Sequence, residues 1–178
     1  MKNIDIKNLK IASRYAHALI EETKDITDEV LSNLEVVSNI VFENEDFKLF
    51  FNHPIISLKD KQETIKETFE GKINPSVLNF IMILLEENRF NAFLTIVELY
   101  KKEVDELKNK QRVEIVCAVE IQEKYKKELE EKLNEKLNKE VILNYEQNED
   151  ILGGLVVKIE DKVIDLSLKT KFDNLRKN

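Results

Sequence analysis

The sequence predicts α plus α+β, a helical N-terminal region followed by a small mixed domain. Three observations predict it. Apolar residues return every three or four positions as far as about residue 107. The run 108–112, Lys-Asn-Lys-Gln-Arg, is wholly polar, and beyond it the apolar period falls to two. The expected organisation is a six-helix bundle over 1–107, an exposed hinge at 108–112 and an α+β domain over 113–178.

The first helix is expected over about 7–23. Leu9, Ala12, Ala16, Leu19 and Ile20 form one apolar stripe on it, and Ile11, Tyr15 and Ala18 form a second, displaced around the axis. A bundle core needs only one. Thr27 is the expected N-cap of the second helix, which carries Val30, Leu34, Val37 and Val41. Asn44 opens a short third segment with Phe47, Phe50 and Phe51, and His53-Pro54 ends it, because the residue before proline is pushed out of helical geometry.

Ser57 with Asp60 resembles a capping arrangement for a fourth helix marked by Leu58, Ile65 and Phe69 and closed by Gly71. Asn74 and Pro75 open the fifth, where proline at the first helical position loses no hydrogen bond. Its middle, 80–85, is apolar around the whole circumference, which calls for burial on more than one side. The sixth helix, from about residue 91, places Phe93, Leu94, Val97, Tyr100, Val104 and Leu107 inward.

After the polar run, Val113, Ile115, Cys117 and Val119 alternate as a strand, and Tyr125, Leu129, Leu133 and Leu137 repeat every four residues as a surface helix. Val141, Leu143 and Tyr145 alternate again. Leu155, Val157 and Ile159 form a further strand, and Glu160-Asp161 makes a tight turn into Val163-Ile164. Ser167 caps a last helix through Phe172 and Leu175. The order strand, helix, strand, strand, strand, helix is that of a small α+β unit.

Composition narrows the function. Acidic residues outnumber basic ones, 35 to 28, for a net charge of −7, which argues against a chain that neutralises nucleic-acid phosphates. The opening residues lack the apolar core of a secretory signal, and the single Cys117 forms no internal disulfide, so the cytoplasm is the expected compartment. The apolar run 80–85 is far shorter than the ~18 residues of a membrane span.

No catalytic constellation is expected, and no metal or cofactor. His17 and His53 have no Cys or carboxylate at ligand spacing. Cys117 falls in a buried alternating series and reads as a core thiol. Gly153-Gly154 lacks the Gly-Lys-Ser/Thr ending of a phosphate loop and precedes a strand, so a close backbone approach or bulge is expected there. Asp161 and Asp165 flank a hairpin strand, where turn formation and helix capping account for them. The apolar excess of helices one and five, by contrast, favours a groove for another helix.

Three segments resemble the ATP synthase delta subunit family, called the oligomycin-sensitivity-conferring protein in mitochondria. The run 14–19, Arg-Tyr-Ala-His-Ala-Leu, is similar to the family's Arg-x-Tyr-Ala-x-Ala in its first helix, with one position of difference around the arginine. The run 79–85 followed by Glu87-Asn88-Arg89-Phe90 resembles the fifth-helix segment. More specific is 152–159, Leu-Gly-Gly-Leu-Val-Val-Lys-Ile, then 161–165, Asp-Lys-Val-Ile-Asp, and Ser167. Leu166 stands where the family commonly has Gly, and Gln147 where an apolar residue is usual.

The resemblance implies a non-catalytic stator subunit of two domains, on the cytoplasmic face of the bacterial cell membrane, whose mechanism is tight binding and elasticity under torque. It implies that the helical domain binds the N-terminal helix of an alpha subunit in a groove between helices one and five, which maps to Tyr15, Ala18 and Ile83. It implies that the C-terminal domain binds the b subunits of the peripheral stalk. There the last helix offers Leu168, Phe172 and Leu175, some of which must close the domain's own core. The coupling ion, H+ or Na+, is set by other subunits. Two other readings of the residues are a free-standing helical adaptor or chaperone using the same groove, and a small hydrolase using Asp161 or Asp165.

Overall fold

Capping chemistry sets where the helices begin and end. In the computed structural model, which describes residues 6–148, 151, 153–168, 170 and 172, the helices before the sheet are α1 (Ile6–Glu22), α2 (Thr27–Phe42), α3 (Glu45–Asn52), α4 (Leu58–Phe69), α5 (Pro75–Glu86) and α6 (Phe93–Leu107). The Asn44 side chain accepts from the backbone N–H of Asp46 and Phe47 and so starts α3. His53 is extended ahead of Pro54 and stops it. At α4 the Ser57 hydroxyl accepts from Asp60 N–H and donates to the Asp60 carboxylate at 2.8 Å, a side-chain N-cap held in place by the residue it caps.

Asn74 accepts from Ser76 N–H with Pro75 in the first turn of α5. Asn74 is also tied to α2, through its own N–H to Asn33 Oδ1 at 2.6 Å and its amide to Glu29 Oε1 at 2.9 Å. The far end of α5 closes with Asn88 at φ 52°, where Arg89 N–H reaches Leu84 O and Asn88 N–H reaches Leu85 O. Those two bonds satisfy carbonyls that the helix end leaves without partners.

One expected cap is corrected. Thr27 is the first residue of α2 and is buried, while Ile26 holds the cap position without a side-chain bond. A 3₁₀ turn, Lys24–Ile26, precedes it and displaces the start. The nearby threonine with a structural bond is Thr23. Its hydroxyl donates to Leu19 O at 2.7 Å, which leaves Tyr100 to donate to it at 2.8 Å.

The chain divides into two compact units, Met1–Val104 and Asp105–Asn178, with the division inside α6. In the first unit every helix contributes to one continuous apolar core, for example Ala16, Leu34, Phe51, Ile65, Ile81 and Phe93. The rings of Phe42, Phe90 and Phe93 stack within it. On α1 the stripe Ala12, Ala16, Leu19 and Ile20 is buried, whereas Leu9 is exposed. On α6 the inward stripe is Phe93, Ile96, Val97, Tyr100 and Val104, while Leu94 and Leu107, expected inward, are exposed.

The second unit holds a four-stranded sheet of order β2-β1-β3-β4, with β1 (Lys110–Cys117), β2 (Glu140–Gln147), β3 (Leu155–Ile159) and β4 (Lys162–Asp165). Helix α7 (Glu123–Leu137) connects β1 to its parallel neighbour β2, as parallel pairing requires a crossover. β3 runs antiparallel to β1, and the two-residue turn Glu160-Asp161, with Glu160 at φ 51°, leads into β4. Val113, Ile115, Val141 and Val157 form the buried core, with Leu129, Leu133 and Leu137 of α7 half-buried against it. Tyr125 and Val119, expected to join these series, are exposed.

The architecture is α+β, seven helices and a mixed sheet among the described residues. The expected hinge is corrected in extent. Only Lys108 and Asn109 lie between α6 and β1, and 110–112 belong to the strand.

Candidate interaction surfaces

A second apolar stripe on a helix either deepens the core or waits for a partner, and α1 does some of each. Tyr15 is half-buried and meets Phe80 of α5 edge-on, ring centroids 6.2 Å apart and planes at 71°, so α1 and α5 are neighbours at this level. Ala18, one turn further along α1, is exposed. Ile83, one turn beyond Phe80 on α5, is 40% exposed. The rest of the run 80–85 is absorbed by the first unit: Phe80, Ile81, Leu84 and Leu85 are buried and Met82 is half-buried. The all-round apolar character of α5 is therefore mostly core, and Ile83 is its outward remainder.

The C-terminal candidates also face outward. Leu168 is 43% and Phe172 63% exposed, whereas Leu175 lies outside the described residues. Sequence reasoning passed over Val163, Ile164 and Leu166, which are exposed on and just after the edge strand β4. Their signal was present, since consecutive apolar residues on an edge strand cannot all face one core.

Backbone approach positions this segment. Leu166 N–H donates to Leu155 O and Leu168 N–H to Gly153 O, both at 2.9 Å, which extends the β3-β4 ladder in register. Gly154, at φ +83°, sits between these bonds, and a Cβ there would lie 2.5 Å from Leu166 O. The glycine pair thus serves a close backbone approach ahead of a strand, and no phosphate loop is formed. Asp165 accepts from Ser167 N–H at 2.8 Å and from the Thr170 hydroxyl at 2.7 Å, while Ser167 Oγ accepts from Thr170 N–H. Ser167 is thus the cap of the helical residues that follow, as expected, and the Asp165 carboxylate braces it.

Nothing among the described residues assembles reactive groups. His17 pairs with Glu103 at the surface at 3.3 Å, and His53 Nδ1 accepts from Ile55 N–H at 3.4 Å. No group of His, Cys, Asp and Glu among the described residues could hold a metal ion. Cys117 is buried, its thiol 3.7 Å from Glu146 O. Hydrogen bonds from Lys24, Lys158 and Lys126 hold the carboxyls of Glu21, Glu114 and Glu123 below their usual range, and these are surface ion pairs. Burial pushes the phenols of Tyr100 and Tyr145 up. A cleft of about 560 Å³ lies between the α3–α4 loop and the end of α5, lined by Phe51, Pro54, Ile56, Leu58, Leu85 and Phe90 with Lys61 and Glu86 as its titratable groups. A lone Lys and Glu do not supply a nucleophile, its base and an orienting group. No described helix is long and apolar enough to cross a membrane.

Comparison with known proteins gives the family. The profile of the family described as ATP synthase delta (OSCP) subunit matches residues 11–178. The ATP synthase subunit delta of Acetivibrio thermocellus is 36% identical over 162 residues, covering 89% of this chain and 91% of that protein. That of Clostridium kluyveri is 32% identical over 166 residues, with 92% of each covered. Among solved structures, a chain of the Toxoplasma gondii mitochondrial ATP synthase hexamer, determined by cryo-electron microscopy, superposes with a TM-score of 0.70 at 21% identity, covering 93% of this chain and 95% of that one, a likeness of fold. The chain belongs to the ATP synthase delta (OSCP) subunit family and is, by that membership, a non-catalytic stator subunit.

Proposed function

We propose that the two units divide the work of a connector on the cytoplasmic face of a bacterial membrane. The helical unit acts as a six-helix bundle and receives the N-terminal helix of an alpha subunit in a groove between α1 and α5. Tyr15 and Ile83 supply apolar area there and Ala18 permits close approach of the backbones. The C-terminal unit engages the ends of the b subunits through the apolar residues around Leu168 and Phe172, with Leu175 as a further candidate. The chain is then a passive link, holding the catalytic head against rotation by affinity and elasticity while ATP chemistry proceeds elsewhere.

The observation that carries the groove is that Tyr15, Ala18 and Ile83 remain partly or wholly outside the core while their own helices are otherwise well packed. A large apolar anchor contributes about 1.5–3 kcal/mol when fully buried, so a few of them account for a tight helix-in-groove contact. Titration of a peptide from the alpha N-terminus tests it. Ala18→Glu and Ile83→Asp should each weaken binding at least about tenfold, because an ionised carboxylate enclosed without a partner costs several kcal/mol. Circular dichroism and melting should stay close to those of the unmodified chain. Unchanged affinity in both folded variants would remove the groove assignment, and a lost melting transition would return these residues to the core.

A further inference from the structure

The polar run between helix and sheet looks, by composition, like a flexible joint. Its residues are nevertheless held at successive points, all within the C-terminal unit. Arg112 on β1 reaches back to Asp105 in the last turns of α6, with Nε to Oδ2 at 2.6 Å and Nη2 to Oδ1 at 3.2 Å. This is a two-pronged guanidinium–carboxylate pair, and Asp105 is only 8% exposed. Such pairing fixes orientation as well as distance, because the planar fork matches both carboxylate oxygens.

Asn109, between the two, takes the left-handed conformation at φ 54° and donates its N–H to Glu106 O. Its carbonyl accepts from Glu140 N–H at 3.1 Å and its side-chain amide reaches Asn138 O at 3.4 Å. Lys110 pairs with Glu140 at 3.0 Å, and Lys139 Nζ reaches Gln111 Oε1 at 3.4 Å. From Asn109 to Arg112 each residue therefore bonds to the α7–β2 turn or to α6.

We infer that the run 108–112 is a stiff collar of the C-terminal unit, clasped to the end of α6 by Asp105 and Arg112, and that it does not work as a hinge. The inference leans on the stator reading only for its purpose, since a joint under torque gains from having no slack linker.

Amide hydrogen exchange on the full-length chain tests it, since exchange reports local opening directly. In the unmodified protein the Asn109 and Glu140 amides should exchange at rates comparable to those of central β1. Asp105→Asn should accelerate both at least about tenfold, the effect of losing one charge-assisted contact, while the Val157 and Val163 amides keep their rates. Arg112→Lys keeps the charge and loses the fork, so a several-fold acceleration at the same two amides is expected. Asn109 and Glu140 exchanging as free loop in the unmodified chain would overturn the inference, and so would unchanged rates in both variants.

Discussion

The helical unit closes its core with large side chains wholly withdrawn from water, among them Phe69, Phe93 and Tyr100, and each of its helices contributes buried residues. The sheet unit's core cluster is made of four smaller buried residues, Val113, Ile115, Val141 and Val157, and α7 covers them with leucines that are only half-buried. In the first unit, then, stability is concentrated in side-chain packing, and in the second it rests more on the strand ladder and on backbone fit. The difference suits the proposed roles. A thick core leaves the outer face of α1 free to vary, whereas a thin one keeps apolar residues such as Phe172 near the surface.

The largest effects that would break this comparison are in the cores. Phe93→Ala should cost about 3–5 kcal/mol, since it empties a fully enclosed aromatic site that stacks with Phe42 and Phe90. Leu133→Ala should cost about 1–2 kcal/mol, because a half-buried leucine forfeits only part of its transfer free energy. Urea unfolding of the full chain measures both, and equal costs would mean that the sheet unit is packed as densely as the helical one.

Glycines offer the next contrast. Gly154→Ala meets backbone atoms of 166 and 167 as well as a left-handed conformation, and should cost about 1–3 kcal/mol through overpacking and strain. Gly71, at φ +72°, has nothing within 4 Å of the added methyl, so Gly71→Ala should cost about 1–2 kcal/mol from backbone conformation alone. Thermal melts separate them. The backbone-fit account fails if Gly71→Ala is the more damaging of the two.

The smallest effects concern two tyrosines. Tyr100 donates to Thr23, so Tyr100→Phe should cost about 1 kcal/mol. Tyr145 OH is buried with no hydrogen-bond partner among the described residues, so Tyr145→Phe should be neutral or slightly stabilising. Burial raises both phenols above their usual 10.0. The folded chain then keeps protons that the unfolded chain releases. Stability from this source is complete below about pH 10 and is lost as pH rises through the folded values. Each Tyr→Phe change should shallow the alkaline fall in melting temperature. A fall of unchanged slope in both variants would assign it to other groups.

Much of this was legible in the residues. Asn44, Ser57 and Asn74 name their helices because a short polar side chain before an apolar run has few other uses. The change of period from 3.6 to 2 separates helices from sheet because side-chain direction follows backbone geometry. Phase was harder. Periodicity admits both Phe93 and Leu94 to the inward face, but Phe93 shares it with Ile96 and Leu94 does not, because one residue rotates a helical side chain by about 100°. The run 108–112 read as a linker because its side chains are polar, yet a parallel ladder is made by backbone groups and accepts Lys110 to Arg112 without objection. The apolar character of α5 pointed to a groove, and depth of burial, which composition does not encode, leaves Ile83 as the exposed residue of its central run.

The division of labour is the central claim, and a double dissociation on the full-length chain tests it most directly. Ile83→Asp and Phe172→Asp would each be immobilised and offered, separately, a peptide from the alpha N-terminus and the soluble C-terminal region of the b subunits. The account predicts that Ile83→Asp loses the alpha peptide and keeps the b subunits, and that Phe172→Asp does the reverse. Loss of the same partner by both folded variants, or of neither, would contradict it.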